Sequence, residues 1–325
     1  MSADTIRSYH GQPILKQPVW TWEIPMYFYA GGLAGASAGL ALLSELRGNE
    51  VLARRAWAGA MAGIAISPAL LTSDLGRPQR FLNMLRMFKP TSPMSVGSWI
   101  LVTSGGATTL AAANSWLGVF PRLSRVAKPA AAVLGLPLSS YTGALLANTA
   151  VPVWHEARRE LPFVFAAGAA LSAGAANVIW TRPEDGAGAR RLALAGAAAE
   201  GPLMELMIKR LGKHGEMYKR GTPGRFANAS RACIVAGGAL LGARGGSSRV
   251  GSALGGALLS IGALATRWSV FKAGFESASD PKYVVGPQRG LIDTGQRRGA
   301  ARLKARVADP DPGRGTPALT YSERL

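Results

Sequence analysis

The strongest chemical signal in this sequence is a carboxylate placed inside an apolar stretch. Glu200 stands in the run AGAAAEGPLMEL with Gly201 and Pro202 directly behind it. There the proline removes a backbone donor and opens a helix locally. An acid in hydrocarbon costs about 2.5 to 3.5 kcal/mol on insertion scales, so it needs a partner, a neutral form or a path to water. Two uses stay open: moving protons, alone or linked to a quinone, and a structural hydrogen bond to a neighbouring helix. Glu205, five residues on, falls near the membrane surface, where a surface role is the simpler reading.

Three further groups have the right chemistry. Glu23 and Tyr27 open the first apolar block, and Asp74 closes the second, followed by Gly76, Arg77 and Pro78. If those two blocks are antiparallel helices, the acids and Arg77 share one membrane face and can meet in a polar pocket. Asp74 is equally readable as a turn or capping residue paired with Arg77. Tyr141 and Thr142 lie inside the fourth block, with Asn148 two turns further on. A phenol in hydrocarbon requires a hydrogen-bond partner, and both a quinone carbonyl and a backbone carbonyl qualify.

The inventory of metal-binding residues is small. A single cysteine, Cys233, allows neither an internal disulfide nor an iron–sulfur cluster held by this chain alone. The three histidines, His10, His155 and His214, all fall outside the apolar blocks, which removes the paired imidazoles of a di-haem anchor. No metal site is expected, and any redox centre must belong to a partner. The formal charge of +19 would suggest nucleic acid in a soluble protein. Here the cations lie between apolar blocks and in the C-terminal tail, where they set membrane orientation and contact anionic lipid, so no nucleic-acid partner is expected.

The elements that must position these residues are membrane helices. Hydrophobic residues make up 48% of the chain and come in blocks of the length a bilayer requires rather than in amphipathic pattern. Eight spans are expected, near 24–43, 56–71, 96–117, 129–150, 161–180, 192–208, 229–242 and 250–271, making an all-α polytopic domain over 24–272. Residues 1–23 precede it without the features of a cleaved signal. Residues 273–325 form a basic, proline-containing tail that is expected to be flexible or to lie on the membrane or a partner.

Glycines recur four apart, at Gly31, Gly35 and Gly39, at Gly59 and Gly63, and at Gly251 and Gly255. That spacing puts them on one helix face, where backbones approach closely, within one chain in preference to a homodimer. The connections after spans two, four and six carry Arg77, Arg80, Arg86 and Lys89, and the run Lys209, Arg210, Lys213, Lys219, Arg220 and Arg225. By the positive-inside rule this side, which includes both termini, is cytoplasmic.

Three strings are more specific than composition: WTWEIPMYFYAGGLAGASAG from Trp20, SDLGRPQRFLNMLRMFKPTSPMSVGSW from Ser73, and YTGALLANTAVPVW from Tyr141. They resemble the membrane-anchor subunits of the NrfD/PsrC family of polysulfide and nitrite reductases, over residues from about 20 to 272. The resemblance implies an anchor of eight helices built as two four-helix bundles, with a site for menaquinone or ubiquinone as substrate and no haem or cluster of its own. It further implies electron exchange with an iron–sulfur subunit that serves a molybdopterin oxidoreductase acting on small substrates such as polysulfide, formate or thiosulfate.

Residue by residue, the resemblance places Tyr141 against a quinone carbonyl. It puts Glu23 at the head of span one and matches Asp74 and Arg77 by identity, while Glu200 has no equally distinctive string around it. The chain is then a quinone-reactive or non-catalytic subunit in a bacterial plasma membrane rather than a complete enzyme. A secondary transporter using intramembrane carboxylates is the alternative, and a purely structural tether is a third.

Overall fold

The computed structural model describes residues 15–75 and 78–283, with only the backbone described at Pro78 and Arg80. Arg77 and the tail beyond Tyr283 lie outside the described residues. Among those described, the chain is entirely helical. The long helices are α1 (Glu23–Leu46), α2 (Glu50–Asp74), α3 (Pro93–Leu117), α4 (Pro121–Ala147), α6 (Leu161–Trp180), α7 (Ala187–Arg210), α8 (Gly221–Arg244) and α9 (Arg249–Ser279). A short α5 (Pro152–Glu156) and two 3-10 segments, Pro78–Leu85 and Gly212–Tyr218, lie in the connections.

Seven of the long helices are long and apolar enough to cross a membrane. α7 is the exception, because two arginines, two glutamates and the final Lys209–Arg210 dilute its alanines. Large apolar side chains such as Val133, Leu136, Phe163, Val235 and Ile261 point outward and are more than half exposed, as a lipid-facing surface requires. The chain is a multi-pass membrane protein.

The helix ends follow local chemistry. Asn49 caps α2 by accepting from Leu52 N at 3.0 Å, Ser248 caps α9 through Gly251 N at 3.1 Å, and Gly118, at φ 71°, ends α3 in the left-handed conformation. Three helices run eight residues past the apolar blocks of the sequence, and α4 does so at its start, Pro121 against an expected 129. α8 begins at Gly221, eight residues before the apolar run, because Thr222, Arg225 and Asn228 carry polarity into its first turns. α9 continues to Ser279, eight residues beyond Phe271.

Helices α1 to α4 pack on one another, and α6 to α9 form a second group, with α1 and α4 meeting α6 between the two. Dispersion, not water exclusion, drives such packing in lipid, so close backbone approach counts most. At the α1–α4 crossing, a Cβ built on Gly35 would stand 2.3 Å from the carbonyl oxygen of Gly135, and the reverse is equally close. Gly63 similarly presses on the Ala30 carbonyl of α1. Most of the recurring glycines therefore serve intramolecular packing, although no described residue approaches Gly39. The start of α1, the ends of α2, α4, α7 and α9 and the start of α8 all lie on one face, called here the N-face.

Candidate functional site

The first bundle opens near the N-face into a cavity of about 730 Å³, counting its mouth. α1 contributes Tyr27 and Phe28, α3 contributes Gly97 and Leu101, and α4 contributes Tyr141. The segment Pro78–Leu85 adds Phe81, Met84 and Leu85 to the wall. The lining is mainly apolar, with a few polar groups that converge, which is the usual design of a small-molecule site.

Its central feature is a pair of phenols. The hydroxyls of Tyr27 and Tyr141 are 2.6 Å apart. Both tyrosines line the cavity, but Tyr27 is only 1% exposed and bonds to Tyr141, while Tyr141 is the more open of the two. The Tyr141 ring lies against the backbone of Gly97, where a Cβ would meet its Cε2 at 2.1 Å and its hydroxyl at 2.8 Å. Only glycine leaves this ring its place. Asn148 does not join the site, because its Nδ2 donates to the Ala144 carbonyl at 2.8 Å and closes the end of α4.

At the edge of the cavity, Asp74 ties the end of α2 to the entry of α1. Its Oδ1 accepts from Thr21 N at 3.1 Å and from Thr21 Oγ1 at 3.0 Å. The same Thr21 hydroxyl also contacts Glu23. One hydroxyl proton can satisfy only one carboxylate at a time, so Glu23, Thr21 and Asp74 form a shared polar group at the rim. Next to it, Trp20 stacks on Trp154 with centroids 5.7 Å apart. Trp154 donates to the Val270 carbonyl at 2.8 Å, which fixes this wall to α9 of the second bundle.

The structure thus brings Tyr141 and Asp74 to one cavity and sets Glu23 one hydroxyl away. Glu200 does not join them. It lies in the second bundle on the buried stripe Ala189, Ala193, Gly196, Glu200, Met204 and Met207 of α7, beside Arg267 of α9. Two residues important to these sites carry no expectation from sequence, Gly97 as the seat of Tyr141 and Arg267, and Tyr27, singled out with Glu23, carries none as the partner of Tyr141. The signal for Arg267 is plain in retrospect, since it is a cation inside the eighth apolar block. Gly97 has no comparable signal, because a glycine is ordinary in a membrane helix, and nothing in the spacing pairs Tyr27 with Tyr141.

The N-face around these elements is basic. Arg158 and Arg159 follow α5, Lys209 and Arg210 end α7, and Lys213, Lys219 and Arg220 lie in the next connection. Glu160 engages Arg210 at 2.5 Å, and most of the other cations are exposed. In the same connection, burial pushes the Tyr218 phenol well above the ordinary tyrosine value.

Compared with known families, residues 6–279 match the model NrfD_2, described as polysulfide reductase. No curated protein matches the chain.

Proposed function

Since the chain belongs to the polysulfide reductase NrfD family, whose members are membrane subunits of oxidoreductase complexes, we propose that it binds menaquinone or ubiquinone in the cavity of its first bundle. In this reading it exchanges electrons with an iron–sulfur subunit, which passes them to or from a molybdopterin enzyme. The supporting observation is the Tyr27–Tyr141 pair at the wall of an apolar cavity beside Asp74.

The residues present fit a quinone. The aromatic and aliphatic lining suits a ring with an isoprenoid tail, with a few polar groups at the wall to orient it. A bound quinone supplies the two-electron, two-proton chemistry. Tyr141 donates its hydroxyl proton to a carbonyl oxygen in the cavity, which requires that it accept from Tyr27. The 2.6 Å contact then fixes the direction of both hydroxyls before the ligand arrives. Asp74 keeps Oδ1 on Thr21, and its Oδ2 has no hydrogen-bond partner among the described residues. That oxygen is positioned to take a proton released in the cavity, and Glu23 at the rim passes it toward the N-face. Trp20 and Phe28 exclude water from the ring.

The basic N-face suits a partner with an acidic docking surface, and complementary charge would speed assembly and fix its register. Lipid covers the remaining sides. In this reading the N-face and both termini are cytoplasmic in a bacterial plasma membrane, an orientation that the excess of Lys and Arg in the N-face connections supports. A tail reachable only from outside intact cells would overturn that orientation.

The test is to purify the protein from its native membrane in mild detergent, identify what accompanies it, and assay quinone reduction before and after Tyr141→Phe. Co-purified iron–sulfur and molybdopterin subunits, with activity lost in the variant, are expected. An isolated chain without quinone response would favour transport instead.

A further inference from the structure

The second bundle holds a polar cluster that the quinone reading leaves unused. Glu200 and Arg267 are each 1% exposed, with Oε1 and Nη1 3.7 Å apart, an ion pair too long for a hydrogen bond. Arg267 donates Nη2 to the Phe165 carbonyl at 3.0 Å, and its guanidinium lies 4.2 Å from the centre of the Phe165 ring. Gly168 of α6 makes room for both partners. A Cβ there would stand 2.4 Å from Arg267 Nη2 and 2.5 Å from Glu200 Oε1.

Four buried atoms of this pair, both carboxylate oxygens of Glu200 and Nε and Nη1 of Arg267, have no hydrogen-bond partner among the described residues. Buried polar atoms are paired as a rule, with ordered water where protein is lacking. Beside them runs a cavity of about 480 Å³, counting its mouth, between α7, α8 and α9. Glu200 lies at its inner end, the Ser230 and Thr266 hydroxyls meet at 2.7 Å along its wall, and the half-exposed pair Glu205–Arg231 borders it nearer the N-face. Toward the opposite face α8 and α9 close on each other: a Cβ on Gly237, about one turn beyond Ile234, would stand 2.9 Å from Leu259 N, and one on Gly255 would stand 3.1 Å from Leu241 N.

We propose that Glu200 is a proton-binding site served by water in this cavity and open to the N-face alone, with Arg267 holding the charged form in place. The step is a simple exchange. Glu200 accepts a proton from a cavity water replenished from N-face solvent, becomes neutral and frees Arg267 from its pair; loss of the proton restores the pair. The titratable and charged groups around Glu200 are Arg267 of α9, Arg231 of α8 and Glu205 of its own helix, and Tyr29 of α1 is near enough to interact with Arg267. α6 adds only Gly168 and Phe165. The site gives the membrane subunit a proton store separate from the first-bundle cavity.

Two measurements on the full-length protein in sealed vesicles test this, and neither involves a quinone. In a Cys233→Ser background, Ser230→Cys is expected to react with a charged, membrane-impermeant thiol reagent from the N-face and to be protected from the other side. No reaction from either side, or equal reaction from both, would overturn the one-sided water path. Separately, dicyclohexylcarbodiimide, which attacks protonated carboxyls in apolar surroundings, is expected to label Glu200, as read by peptide mass spectrometry. Labelling should vanish in Glu200→Gln and extend to higher pH in Arg267→Met, with Arg267→Lys as the milder variant if the former does not fold. An unlabelled Glu200, or labelling indifferent to both changes at Arg267, would refute the protonation site.

Discussion

Tyr27 and Tyr141, 114 residues apart, join α1 to α4 through hydroxyls 2.6 Å apart at the wall of the first-bundle cavity. If Tyr141 donates to a ligand, Tyr27 must donate to Tyr141, so the two phenols contribute unequally. Tyr141→Phe removes the ligand contact itself and should weaken binding of a soluble menaquinone analogue by roughly tenfold or more. Tyr27→Phe removes only the orienting bond, about 1 kcal/mol, and should cost about fivefold. Both are measured by titrating intrinsic fluorescence, since Trp20 lines the cavity. Equal losses in the two variants would contradict the assigned direction.

Gly97 and Gly106 lie on the same helix and make a matched pair. A Cβ on Gly97 would enter the Tyr141 ring at 2.1 Å, while among the described residues nothing lies within 4 Å of one on Gly106. Gly97→Ala should therefore displace Tyr141 and lower quinone affinity by roughly tenfold or more. Gly106→Ala should leave affinity untouched and stabilise the helix by up to about 1 kcal/mol. Thermal unfolding in detergent alongside the titration separates the two effects.

Tyr218 in the N-face connection is 0% exposed, and its hydroxyl has no hydrogen-bond partner among the described residues. Burial holds its phenol well above the ordinary value of 10.0. A group raised on folding contributes stability that is complete below its unfolded value and is lost as pH climbs above it. The native protein should thus lose stability at alkaline pH, beyond about 10, and Tyr218→Phe should flatten that loss. At neutral pH the same variant should be neutral or slightly stabilising, because it deletes a desolvated hydroxyl that bonds to none of the described residues. Parallel stability curves for the two proteins from neutral to alkaline pH would show that Tyr218 does not cause the loss.

The helices were legible because hydrocarbon imposes one constraint on every span, and block length reports it directly. Their ends were not, since α8 and α9 extend through polar residues that a helix tolerates at the membrane surface. The rim of the site was legible for a similar reason. Glu23 and Asp74 stand at the same end of two antiparallel helices, and the structure joins them through Thr21. The Tyr141 contact was not legible, because its partner comes from a helix 114 residues away and its seat is a missing side chain. Glu200 was marked by its cost in lipid, yet its counter-charge, Arg267, depends on the α7–α9 register that spacing alone does not give.

Glu200 and Arg267 invite a comparison of single and paired removal. Truncating one member of a buried pair strands the other charge, at about 3–5 kcal/mol, whereas replacing both with apolar groups is near neutral. The two single variants should differ, however. In Arg267→Met the stranded carboxyl escapes its charge by binding a proton from the cavity, while in Glu200→Leu the guanidinium has no such escape. Glu200→Leu should therefore unfold at a clearly lower temperature than Arg267→Met, and the double variant should recover most of the loss. The order of the first two would also respond to pH, because only the Arg267→Met protein can recruit a proton, so its deficit should shrink in acid. Equal deficits at every pH would mean that Glu200 is cut off from solvent protons and that the pair is purely structural.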